Sequence, residues 1–139
     1  MQQFLIRLFD LFFSLLGLIL LSPFFLLLSL VIKLNSKGPV FYVQPRVGKN
    51  GVDFPLLKFR TMKMNADKLG YLTVGARDPR ITGFGHFLRK YKLDELPQLF
   101  NVLEGTMSLV GPRPEMPDLV DKYQPWQRKR FVVPPGLTG

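Results

Sequence analysis

Two adjacent carboxylates, Asp94 and Glu95, stand directly behind a run of cations, Arg89, Lys90 and Lys92. Such a pair suits one carboxylate acting on an anionic substrate while its neighbour handles a metal. It also has a bland reading, because Asp is a good helix N-cap and Glu suits a first helical turn. Other cations are candidates to act with the pair. Lys58 and Arg60 alternate along residues 53–62 and share one face of a predicted strand, with Leu57, Phe59 and Thr61 on the other. Two cations on one strand face can grip a phosphate or merely solvate the strand. Arg113 lies between Pro112 and Pro114, a rigid setting that would hold its guanidinium as a phosphate clamp or as a structural ion pair.

The elements that must position these side chains follow from periodicity and punctuation. Residues 40–44 read as a strand ended by Pro45, residues 48–51 as a turn, and residues 53–62 as the returning strand of a hairpin. Residues 62–71 are expected to form a short helix. Residues 72–85 are expected to be loop, with Asp78-Pro79-Arg80 as its turn. Residues 84–91 read as a helix carrying the apolar stripe Phe84, Phe87, Leu88 and Tyr91. A second helix is expected from Asp94, with Pro97 in its first turn, the apolar face Leu96, Leu99, Phe100 and Leu103, and Gly105 as its stop. Residues 125–131 mix aromatics with cations and read as an interfacial segment or an ordinary helix end.

The chain has 139 residues, enough for one ordinary domain. Its net charge of +9 favours anionic partners such as phosphates, acidic headgroups or nucleic acid. With no cysteine, disulfides and thiolate metal sites are excluded. Most of the hydrophobicity is one block: residues 11–32 hold no charge, long enough for a membrane helix. A cleaved signal peptide is a poor fit, because the run is too long and no small-x-small site follows. Ser22-Pro23 sits at its centre. Proline costs about 3 kcal/mol inside a helix, and a neighbouring hydroxyl can satisfy a freed carbonyl. Each arm beside Pro23 spans roughly 15–18 Å, too short to cross a bilayer alone. Arg7 precedes the run and Lys33 and Lys37 follow it, so the flanking charge is not one-sided. Both a kinked span and a re-entrant hairpin stay open on these grounds. The chain lacks a phosphate-binding GxxxxGK[ST] loop, a histidine pair and a nucleic-acid motif.

Taken in order, the motifs resemble the monotopic phosphoglycosyl transferases, bacterial sugar transferases that begin polysaccharide and glycoprotein glycan assembly. The resemblance covers almost the whole chain. It rests on the apolar segment with Ser22-Pro23, Gly38-Pro39-Val40-Phe41, Lys58-Phe59-Arg60-Thr61-Met62 and Asp78-Pro79-Arg80-Ile81-Thr82. It continues through Leu93-Asp94-Glu95-Leu96-Pro97-Gln98, Gly111-Pro112-Arg113-Pro114 and Pro135-Gly136-Leu137-Thr138-Gly139. Each piece is weak alone, whereas their order and spacing are specific.

The resemblance implies a reaction. A sugar 1-phosphate would pass from a nucleotide diphosphate sugar, such as a UDP-sugar, to polyprenol (undecaprenyl) phosphate. Asp94 would be the nucleophile, forming a covalent aspartyl-phosphosugar intermediate, and Glu95 would help hold Mg²⁺. Lys58, Arg89 and Arg113 would bind phosphates, with Arg60 added by its place on the strand. Asp94 is expected to be ionised at neutral pH without special tuning. The implied fold is α+β and mostly helical. It has a re-entrant membrane helix-break-helix over residues 1–34, broken at Ser22 and Pro23, and a small cytoplasmic catalytic domain over residues 35–139 with a short β-hairpin. The implied place is the cytoplasmic face of the bacterial inner membrane, in exopolysaccharide, O-antigen or lipopolysaccharide, or glycoprotein glycan synthesis. Expected partners are the nucleotide-sugar donor, the polyprenol phosphate acceptor and membrane lipids, not nucleic acid; a homo-oligomer stays open. Family sequences continue past Gly139 with a further amphipathic segment, so a C-terminal truncation is expected. The rival reading is an inactive membrane-anchored module that binds lipid or a partner.

Overall fold

The computed structural model of the chain describes residues 1–70, 75 and 77–139. Helix α1, Gln2–Asn35, takes up the whole apolar run. Strands β1, Phe41–Val47, and β2, Asp53–Phe59, pair in a two-stranded sheet. Their short link, a 3₁₀ turn at Lys49–Gly51, permits only the expected hairpin. Helix α2, Gly83–Lys90, and helix α3, Gln98–Glu104, flank the acidic pair in sequence. Strand β3, Ser108–Val110, the single-turn helix α4, Pro117–Val120, and strand β4, Gly136–Thr138, complete the chain. Helices and 3₁₀ turns together take up about half of it.

α1 is one continuous element with Pro23 inside it, so the expected break at Ser22-Pro23 is not an unwound segment. One proline removes a single helical hydrogen bond and kinks a helix more readily than it melts it. Over its most apolar 18 residues the mean hydropathy is 2.7, yet only 17% of them are buried. A core helix of a soluble protein would be mostly buried. Leu8, Phe12, Ile19, Leu26 and Leu30 are all more than half exposed, which water does not favour.

The chain forms two compact units, and the boundary within α1 falls between Leu21 and Ser22. The first unit holds residues 1–21, 43–57 and 97–139. Its core is Phe54, Leu56, Val102 and Met107, with Leu109 against them. Arg7 donates to the carbonyls of Val102 at 2.6 Å and Leu103 at 2.7 Å, at the C-terminal end of α3. Buried Asp10 accepts from the Leu109 amide at 3.0 Å. Gly105 ends α3 in the left-handed region, at φ 98°, as expected. β3 and β4 pair in parallel, Ser108 beside Gly136 and Val110 beside Thr138. The backbones of Gly111 and Gly136 approach too closely for a side chain on either.

The second unit holds residues 22–42 and 58–96. Phe59 is its centre, 1% exposed, with ring centroids 5.3 Å from Phe25 and 5.4 Å from Phe41. Leu28, Ile32, Ile81 and Leu88 are also buried here. Met62 bridges to Ile81, so it does not begin the expected helix. Asn65 turns left-handed and only a 3₁₀ turn, Ala66–Leu69, follows. Tyr71, where that expected helix ended, lies outside the described residues, as do 72–74 and 76 of the expected loop. The Asp78–Arg80 turn is held by a 2.6 Å ion pair. β1 runs on through Pro45, where an end was expected. In a two-stranded sheet every strand is an edge, and an edge tolerates proline.

Candidate active site

Four of the expected site residues, Lys58, Arg89, Asp94 and Glu95, belong to the second unit and interact there. Lys58 comes from the end of β2, Arg89 from the last turn of α2. The acidic pair lies on a separate 3₁₀ turn, Leu93–Glu95. Lys92 enters that turn in the left-handed region, at φ 59°, which ends the preceding helical stretch. α3 starts only at Gln98, after Pro97, so Asp94 is not its N-cap. The sequence could not separate these cases, because Asp-Glu before a proline fits a first turn as well as a detached one.

Asp94 is 8% exposed, and its Oδ1 has no hydrogen-bond partner among the described residues. A buried carboxylate oxygen without a partner is costly. Burial pushes the Asp94 pKa up, Lys58 pulls it down, Glu95 raises it again, and Arg89 and a backbone hydrogen bond lower it. The net effect of these surroundings on the Asp94 pKa is upward. Lys58 Nζ lies 3.6 Å from Glu95 Oε1, both side chains being under a fifth exposed. One ammonium thus faces both carboxylates.

Arg89 shows a residue that sequence reasoning missed. Its Nε donates to Thr61 Oγ1 at 2.8 Å. Thr61 is itself buried, and its carbonyl accepts the Thr82 amide at 2.9 Å. A side chain on Gly85 would strike that same carbonyl, so α2 can seat here only with glycine at 85. Thr82 also caps α2, accepting from the Gly85 amide at 2.9 Å. The available signal was a lone hydroxyl on the face shared with Leu57 and Phe59. Burial lowers the Arg89 pKa, opposed by the charges of Asp94 and Asp78 and reinforced by Arg80.

Arg60 and Arg113 are placed otherwise. Arg60 is 6% exposed and donates to the carbonyls of Ser36, at 2.8 Å, and Lys37, just past the end of α1. It closes a helix end rather than sharing a face with Lys58. Gly38, at φ 123°, leaves room for its guanidinium. Arg113 belongs to the first unit, where its carbonyl accepts from Arg130 at 2.9 Å. Arg130 also pairs with Glu115 at 3.7 Å, and Arg128 donates to the Val120 carbonyl, so two cations of residues 125–131 have protein partners. Trp126 is 68% exposed.

Among the described residues no cluster of three or more His, Asp or Glu side chains could hold a metal by itself. The donor set still fits Mg²⁺. That ion keeps several waters and is typically bound by one or two carboxylates with substrate phosphates. Glu95 and the unpartnered Oδ1 of Asp94 are donors of that kind.

Asp94 is thus a buried carboxylate acted on by Lys58 and Arg89, in a chain whose long apolar helix α1 is mostly unburied. The chain belongs to the bacterial sugar transferase family, whose model matches residues 1–139. It is 46% identical over 123 residues to the UDP-N-acetylgalactosamine-undecaprenyl-phosphate N-acetylgalactosaminephosphotransferase of Aeromonas hydrophila, covering 86% of this chain and 29% of that one. It is 45% identical over 140 residues to the undecaprenyl-phosphate glucose phosphotransferase of Komagataeibacter xylinus, with coverage of 96% and 26%. A third relative, the undecaprenyl-phosphate galactose phosphotransferase of Salmonella typhimurium, is 41% identical over 153 residues, with coverage of 99% and 32%. The chain thus spans about a quarter to a third of these relatives' length.

Proposed function

We propose that this chain carries the catalytic part of a phosphoglycosyl transferase, moving a sugar 1-phosphate from a nucleotide diphosphate sugar to undecaprenyl phosphate. The observation that carries the reading is Asp94: buried, with one oxygen unpartnered, and acted on by Lys58 and Arg89. An unpartnered buried oxygen is a poor structural device and a good nucleophile. The names of the relatives supply the acceptor, which all three share, and leave the sugar open, since theirs differ.

In the first step an Asp94 oxygen attacks the phosphorus that bears the sugar. The bond from that phosphorus to the bridging oxygen breaks, and the nucleoside monophosphate leaves with the electron pair. In the second step an oxygen of undecaprenyl phosphate attacks the same phosphorus. The acyl-phosphate bond breaks, Asp94 returns as a carboxylate, and the product is a sugar joined to the lipid through a diphosphate. Lys58 and Arg89 would attract the donor's phosphates and offset repulsion by the two acids. Held by Glu95 with phosphate oxygens, Mg²⁺ would neutralise further charge on the diphosphate. Arg113, in the first unit, is proposed as a further phosphate ligand.

We also propose that α1 enters and leaves the membrane on one face, bending at Ser22-Pro23. Its support is that Ser22-Pro23 lies at the centre of the apolar run, with each arm too short to cross a bilayer alone. No second helix long and apolar enough to cross occurs among the described residues. The cytoplasmic face of the inner membrane is the side where a nucleotide sugar would be met.

The test is transfer of labelled sugar phosphate from a panel of nucleotide sugars to undecaprenyl phosphate, using a form extended to its relatives' length. Labelled lipid product dependent on Asp94 is expected. No product with any donor would sink the proposal.

A further inference from the structure

α2 carries an aromatic stripe that the site does not use. Phe84, Phe87 and Tyr91 recur at spacings of three and four, the first two rings stacked and the last two tilted, with ring centroids 5.6 Å and 4.9 Å apart. Phe87 is 46% exposed and Tyr91 55%. The helix has already buried its other side, where Gly85 and Leu88 lie inside and Arg89 binds Thr61. The exposed stripe is therefore not the core face of α2, although the sequence grouped Leu88 with it.

Two observations indicate what covers it. The stripe begins where α1 ends: the Phe84 amide donates to Asn35 Oδ1 at 3.3 Å. Just before that point Leu30 and Leu34 are 58% and 78% exposed, so the stripe adjoins the end of the helix read above as membrane-embedded. Its edges are also uniformly cationic. Lys33, Lys37, Lys90 and Lys92 are exposed, Lys90 lies 5.4 Å from the Tyr91 ring centroid, and residues 83–92 hold no acid. Aromatic rings edged by lysines suit the boundary between acyl chains and anionic headgroups.

We propose that α2 is an interfacial anchor, with Phe84, Phe87 and Tyr91 set at the acyl boundary of an anionic phospholipid surface and Lys90 and Lys92 among its phosphates. This rests on the reading of α1 as membrane-embedded. Its consequence is mechanistic. Arg89 points away from the stripe on the same helix and Asp94 follows three residues after Tyr91. Anchoring α2 would hold the nucleophile within roughly one helix diameter, about 10 Å, of the lipid phosphates.

The chain has one tryptophan, Trp126. In a Trp126→Phe background, Phe87→Trp and, independently, Tyr91→Trp each provide a single reporter, and Phe12→Trp reports on α1. The purified chain is placed in vesicles of phosphatidylethanolamine and phosphatidylglycerol with brominated acyl chains. The expected result is a blue shift and lipid quenching at both 87 and 91, weaker in phosphatidylcholine vesicles. If 12 is quenched while 87 and 91 stay open to acrylamide, the anchor is overturned, the membrane reading survives, and a protein partner becomes the occupant. If no position is quenched, both fall. Equal quenching in both kinds of vesicle would overturn the role given to the lysines.

Discussion

Asp94 is held where its charge is disfavoured, and two consequences follow at the level of single residues. Its pKa is raised in the folded chain, so the folded state binds the proton more tightly than the unfolded state, where an Asp titrates near 3.9. Ionised Asp94 therefore lowers stability at pH above its folded pKa, and that loss is relieved as pH falls through the folded pKa towards the unfolded value. In metal-free buffer at pH 7.5, Asp94→Asn is expected to melt at or above the unsubstituted chain, with the gap closing near pH 4. Thermal denaturation at the two values checks this. The second consequence concerns Thr61. Thr61→Val keeps shape but removes the 2.8 Å bond to Arg89. A hydrogen bond to a charged group contributes about 1.5–3 kcal/mol. Roughly tenfold or more should be lost from the rate of intermediate formation, with Thr61→Ser restoring most of it. The acidic pair and its cations were legible from residue types and order. Thr61 was not, because a threonine on an apolar strand face looks like any other β-branched residue.

The second lesson lies in the elements. Lys58 and Arg60 alternate in sequence, yet β2 ends at Phe59 and Arg60 binds the carbonyls of Ser36 and Lys37. Its substitution should act on stability, whereas that of Lys58 should act on chemistry. Arg60→Met leaves two carbonyls unmatched and is expected to cost about 2 kcal/mol of stability. Lys58→Met should leave melting nearly unchanged while intermediate formation falls at least tenfold. Denaturant titration alongside the adduct assay separates the two. Local pattern revealed α2, α3 and its glycine stop, because helix periodicity and caps are local signals. It did not reveal the β3–β4 pair, whose partners lie 28 residues apart in register. Nor did it show that Asp94-Glu95 sits on a detached turn, since Lys92 adopts a left-handed backbone that no glycine announces.

For the molecule as a whole, the helix that the sequence marked most clearly also left the largest question. The apolar run predicted a membrane element, and α1 keeps that run mostly unburied. The side on which its two ends emerge was undecidable from charge alone, because Arg7 and Lys33 flank it. In the fold Arg7 binds the end of α3, so it is not available as a simple topology signal. Labels placed before Leu11 and after Lys33 are expected to report the same, cytoplasmic side. Opposite sides would mean a kinked span, and Pro23→Leu should move the labels apart if proline sets the turn.

The claim that Asp94 forms a covalent bond to the substrate phosphorus has a direct measurement. The chain, extended to its relatives' length, is incubated with a nucleotide sugar without lipid acceptor, and its intact mass and peptides are then read. A gain equal to one sugar phosphate is expected, mapped to Asp94, absent in Asp94→Asn, and discharged on adding undecaprenyl phosphate. A sugar phosphate mapped to another residue, or lipid product formed by Asp94→Asn, would contradict it.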